Sequence, residues 1–255
     1  IADRSSQPLQ VDAELFLRAR GRIKKYKYRV VALDLPGTDK LAAAVSAGIW
    51  DCINLYTEKP PRGSQKNFGL AALQHWAEML TNTRNKQSWA RFFPPGAGMF
   101  SALLGNAYSP GLHRWVHGYG GARQADRELY ADFLNEAALI LKKPGLDEAA
   151  TAFRASAAAW DKLLDIALPA DVPLLAEGRR LQAEAERLFV ERGQAAEDEI
   201  QALKAEFKAL RAKGLEQFPL DESQAAELRA AMAAQVLAIH DIEAGAIEDL
   251  KAAMA

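Results

Sequence analysis

Cysteine is almost missing from this chain. Cys52 is the only one in 255 residues, so no internal disulfide can form, and a reducing compartment, the cytoplasm, is expected. An excess of either charge is missing too, since 32 Lys and Arg face 33 Asp and Glu for a formal charge of -1. A chain so balanced has no general grip on a polyanion, and nucleic acid is not expected as a partner. No apolar run approaches the roughly 20 residues that a bilayer-crossing helix needs, and no lysine-rich amphipathic helix suits a membrane surface, so no membrane partner is expected either. The opening IADRSSQPLQVDAELFLRAR carries neither Met nor a leader with an apolar centre, and reads as a start inside a domain. What is there is 49% hydrophobic and 25% charged residues, the composition of a folded protein of one large or two modest domains.

Three stretches of different character follow one another. In the first, residues 1–65, Asp12 can cap AELFLRARGRI, whose Leu15, Arg18, Ala19 and Arg22 follow helical spacing, and the β-branched and aromatic run Tyr28 to Leu33 predicts a strand. Pro36 and Gly37 end that strand, Thr38 caps a helix to about Tyr56, and PPRGSQK is a linker by composition. From 66 to 170 nearly every segment has the helical period. Asn67 caps FGLAALQHWAEML, and helices are predicted over about 98–108, 122–142 and 147–167. From 171 to 255 the chain becomes rich in Ala, Glu, Lys, Leu, Gln and Arg, the composition of long helices. Leu181, Leu188, Ile200, Leu203, Phe207 and Leu210 mark one inner face, whose heptad slips near Arg192 and Gly193. KGLEQFPLDES turns the chain, with Gly214 as stop and Asp221 as the next cap, and Leu228, Met232, Val236, Ile239, Ile242, Ile247 and Leu250 line the return. Such an antiparallel hairpin packs on its own bundle or pairs with a second subunit as a homodimer.

The stretch GLHRWVHGYGGARQADRELYADFLNEAALIL offers the most chemistry. At about 100° per residue Leu129, Phe133 and Ile140 share one line of a helix that Tyr130 and Leu134 widen, and Glu136 falls inside it. A carboxylate there must pair with an arginine or be held protonated. It fits a structural ion pair, a solvent-facing glutamate or a catalytic or substrate-binding carboxylate. Gly120 and Gly121 precede the helix, and Arg123 and Arg127 stand one turn apart, which suits either an anion pocket or a tight interhelix turn. His113 and His117 have i, i+4 spacing, but HRWVH lacks the adjacent glutamate and a third ligand, so no metal is expected. His75 and His240 read as packing residues. Cys52, among apolar neighbours, is either a small buried hydrophobe or a reactive thiol. Trp50, Trp76, Trp89, Trp115 and Trp160 are scattered at core-like positions and read as core filling rather than as an aromatic platform.

FGLAALQHWAEML, GGARQADRELYADFLNEAALIL and FRASAAAWDKL, in that order, resemble the C-terminal helical domain of the butirosin-biosynthesis H-like proteins, in which it follows a papain-like cysteine acyltransferase domain. The resemblance implies a mainly α fold, a helical bundle with a long C-terminal hairpin, preceded by a small α/β remnant of the papain-like domain. It implies Asp3 as the carboxylate that orients a catalytic histidine upstream of the chain, and a cysteine-dependent acyltransferase or amidohydrolase-like protein of natural-product metabolism, with the helical domain shaping the pocket for an acyl carrier protein or a small amine acceptor. It calls for no cofactor. Within the chain, Gly121, Arg123, Arg127, Tyr130 and Glu136 are the candidate substrate-binding residues. The alternative expectation is a non-catalytic helical module for interaction or dimerisation.

Overall fold

The computed structural model describes residues 12–21, 37–58, 60, 62–106, 110–117 and 124–255. Eleven α-helices lie among them: α1 (Ala13–Gly21), α2 (Leu41–Thr57), α3 (Gly69–Thr81), α4 (Trp89–Phe92), α5 (Ala97–Leu104), α6 (Gly111–His117), α7 (Arg127–Leu141), α8 (Gly145–Ala167), α9 (Pro173–Arg192), α10 (Glu197–Glu216) and α11 (Glu222–Met254). No strand occurs among the described residues.

α11 and α8 form the spine. α11 lies along α8 and α3, and α7 packs on α8. Two apolar clusters result. One gathers Phe100, Leu103 and Leu104 of α5, Leu163 and Leu164 of α8, and Val236 and Ile239 of α11. The other gathers Val45, Ile49 and Ile53 of α2, Leu134 of α7, Phe153 of α8, and Ile247 and Leu250 of α11. Each fully buried Leu, Ile or Phe contributes roughly 1.5–3 kcal/mol against leaving it in water.

This packing corrects the expected α/β remnant. The helix expected from Thr38 to about Tyr56 falls in that remnant, and its buried line is Val45, Ile49 and Ile53. That line enters the same cluster as α7, α8 and α11, so α2 belongs to the helical core, and among the described residues it covers no sheet. With helices alone among the described residues, the resemblance to the butirosin-biosynthesis H-like proteins fails, and the papain-like and acyltransferase reading built on it fails too. The strand predicted at Tyr28 to Leu33 and the carboxylate Asp3 lie outside the described residues.

The hairpin is present, with a second reversal. The heptad slip at Arg192 and Gly193 is a turn: Gly193 takes φ 52°, a left-handed conformation that glycine adopts without steric cost, and α10 returns along α9 through Leu188, Ala196 and Ile200. α9 crosses α5 at Gly178, where a side chain would collide with Leu104. α11 then starts at a capping box: Asp221 Oδ1 accepts from Gln224 N at 2.9 Å, and Asp221 N donates to Gln224 Oε1 at 3.0 Å. Two other caps differ from expectation. Thr38 lies inside a short 3-10 turn before α2, and Asn67 ends a turn that Ser64 caps, so Phe68 rather than Asn67 flanks α3.

Among the described residues α11 alone is long and apolar enough to cross a membrane, where the sequence reading finds no segment of that length. It carries the fully buried Glu243, and its apolar residues fill both clusters of the bundle.

Candidate functional site

The site begins with a buried carboxylate. Glu243 stands four residues from both Ile239 and Ile247 on α11, inside the apolar line of that helix, and has no solvent exposure. Arg127, the first residue of α7, meets it with two bonds: Nε donates to Oε1 at 2.7 Å and Nη2 to Oε2 at 3.1 Å. Ser156 Oγ and Trp160 Nε1 of α8 also donate to Oε1, at 2.7 and 3.2 Å. Three helices therefore meet at one carboxylate. Burial alone would push Glu243 up, but the charge of Arg127 and these hydrogen bonds outweigh it and hold the carboxyl below its usual range. Burial likewise opposes the charge on Arg127, and its ionisable neighbours, Glu243 among them, raise its pKa further.

Arg127 is delivered by an unusual turn. Gln124, Ala125 and Asp126 all have positive φ, at 48°, 50° and 65°, and residues with a Cβ enter that region only at a cost of order 1–3 kcal/mol each. Local bonds offset part of it. Arg127 Nη1 donates to Ala125 O at 2.7 Å, and Gln124 Nε2 donates to Asp161 Oδ2 at 3.0 Å. Asp161 also accepts from His117 Nε2 at 2.5 Å, so one α8 carboxylate pins both the end of α6 and the turn before α7.

In front of Arg127 lies a cavity of about 490 Å³ lined by Trp76, Trp89, Phe93, Trp115 and Trp160. Trp76 and Trp160 stack with centroids 6.0 Å apart and planes 20° apart. Trp89 lies 6.3 Å from Trp76 and meets Phe93 edge to face at 5.1 Å. Arg127 sits over the Trp160 ring, 5.3 Å from its centroid. Trp115, 63% exposed, stands at the rim. Trp160 belongs to the first cluster and Trp76 and Trp89 pack against it, so core filling holds for these three, but four of the five also share one cavity. α3, α4, α6 and α8 supply one each, a convergence that spacing along the chain cannot reveal.

The predicted site residues fare differently. Arg127 is in the site, with Glu243 and not Glu136 as its carboxylate. Glu136 is exposed on α7. Tyr130 points to the other side of the pair, its ring edge to face with Phe153 at 4.8 Å and stacked on Phe133 at 5.8 Å. Beside it burial pushes the Cys52 thiol up, which keeps it protonated and favours the packing reading over the reactive one. Gly121 and Arg123 lie outside the described residues, as does Asp3. Glu243 is the residue the sequence reading missed. The test applied to Glu136, a carboxylate inside an apolar helical line, finds it at once on α11.

His113 and His117 lie with rings 6.1 Å apart, and among the described residues no three potential metal ligands cluster. Burial, with help from His117, Arg179 and Arg114, lowers the pKa of His113 to about 4. Folding therefore excludes a proton that the unfolded chain accepts below about pH 6.5, and stability falls between pH 6.5 and 4 by on the order of 3 kcal/mol from this group. Urea unfolding at pH 7 and 4.5 is expected to show that slope, flattened in His113→Leu. An unchanged slope in the variant would assign the loss elsewhere.

The chain matches no protein-family model, no curated protein and no solved structure.

Proposed function

We propose that the chain is a non-catalytic helical interaction module that binds a small molecule in the tryptophan cavity. The observation that carries this reading is the make-up of the cavity wall. Four indoles and Phe93 supply apolar surface, and among the described residues Arg127 is the only charged lining group, neutralised from behind by Glu243. Largely apolar cavities of about 300–1,000 Å³ with a few directed polar groups are typical small-molecule sites. The one charged group at the described wall, an arginine held charged, is neither a nucleophile nor a proton carrier near neutral pH.

Because four of the five tryptophans line the cavity, their emission reports its occupation. Titration with 1-anilinonaphthalene-8-sulfonate is expected to quench tryptophan fluorescence with one saturable site. Ala102→Trp, which fills the cavity from the half-buried face of α5, is expected to weaken that binding at least tenfold while far-UV circular dichroism stays unchanged. Equal binding by the filled variant would reject the reading.

A further inference from the structure

We infer that the ligand of this cavity is a planar aromatic carboxylate, its ring against the indoles and its carboxylate on Arg127. The inference rests on the proposed binding role of the cavity and names the chemistry that role requires.

The guanidinium carries five N–H groups. Two go to Glu243 and one to Ala125 O, which leaves one N–H on each terminal nitrogen without a partner among the described residues. The side chain is 22% exposed and lines the cavity, so these donors are within reach of a bound molecule. An arginine and a carboxylate add the attraction of opposite charges to their hydrogen bonds, which a neutral acceptor lacks, and two such donors on one planar group also fix its orientation. A second source of positive potential coincides with the first. α7 begins at Arg127 and has no side-chain cap from Asp126, and both Ala125 and Arg127, on either side of that start, face the cavity. The dipole at a helix N-terminus favours an anion there.

A cation fits poorly although four indoles surround the space. Arg127 already occupies the neighbourhood of the Trp160 face, and a second positive charge would be driven toward it. The ring geometry also says where a flat ligand lies. Trp76 and Trp160 are 6.0 Å apart, too close for a third ring, which needs two contacts of about 3.5 Å each. The ligand ring therefore rests on the cavity side of the Trp76, Trp89 and Trp115 surfaces rather than between the stacked pair.

The test is calorimetric titration of the whole chain at pH 7.5 with three probes of one size class: indole-3-carboxylate, its neutral isostere indole-3-carboxamide, and phenyltrimethylammonium. The carboxylate is expected to bind at least tenfold more tightly than the carboxamide, and the ammonium more weakly than either. In Arg127→Met/Glu243→Leu, in which no charge is stranded, the carboxylate's advantage should vanish while the carboxamide still binds. Equal affinity of acid and amide, or preference for the ammonium, overturns the ligand class and leaves the cavity as a binding site. Absence of binding by all three probes and by 1-anilinonaphthalene-8-sulfonate overturns both.

Discussion

Glu243→Gln is expected to lose about 3–5 kcal/mol of stability, the usual cost of stranding one member of a buried ion pair. The glutamine still accepts hydrogen bonds from Ser156 and Trp160, but Arg127 keeps a charge that nothing behind it compensates. Arg127→Met strands the other partner, and its pH dependence separates the two cases. In the native chain the carboxyl titrates below its unfolded value. Its contribution is complete above about pH 4.5 and is lost as pH falls through the lower folded value. Without Arg127 burial raises that carboxyl above its unfolded value, so the sign inverts and the variant is more destabilised at pH 8 than at pH 5. The double variant Arg127→Met/Glu243→Leu replaces the pair by apolar groups and should regain most of the loss. Urea unfolding of the native chain, Arg127→Met, Glu243→Leu and the double variant at both pH values closes the cycle and gives the coupling energy directly. Additive losses would mean that the two side chains do not act as a pair.

The second large effect is Phe153→Ala, with an expected cost of about 3–5 kcal/mol. The ring is fully buried where α8 meets α2, α7 and α11, with Tyr130 at 4.8 Å and Tyr56 at 6.4 Å against it. Helices on three sides cannot all close over the space left behind. A Tm decrease of about 10 °C is expected, at roughly 2–4 °C per kcal/mol for a chain of this size. Leu139→Ala, at a residue 82% exposed on α7, should cost under about 0.5 kcal/mol and serves as the control. Similar losses for the two would show that the second cluster is not a closed core.

Local physics was legible in the sequence, and assembly was not. The helical period of FGLAALQHWAEML, that of the stretch at 147–167, and Asp221 ahead of an apolar line all mark helices that form, because each signal lies within a turn or two of the element it specifies. The slip at Gly193 was visible as a flaw in the heptad, but only the contact of Leu188 with Ala196 and Ile200 makes it a reversal. The reading of α2 failed for a different reason. Its apolar spacing says that one face is buried and is silent about what covers it, and the resemblance supplied the wrong cover. The same holds for the site. Four tryptophans from four helices, and an Arg127–Glu243 pair separated by more than a hundred residues, are products of packing. A single carboxylate in an apolar line is a local signal, and on α11 it was available to be found.

The placement of α11 bears on how the chain matures. The helix made last among those described contributes Met232, Val236 and Ile239 to one cluster and Ile247, Leu250 and Met254 to the other. During synthesis the earlier helices emerge with both clusters missing a wall, and neither can close until α11 has cleared the ribosome. Such late, long-range closure slows folding and leaves the apolar flanks of α3 and α8 open to misassociation, so this is a protein whose nascent form would gain from a holding chaperone.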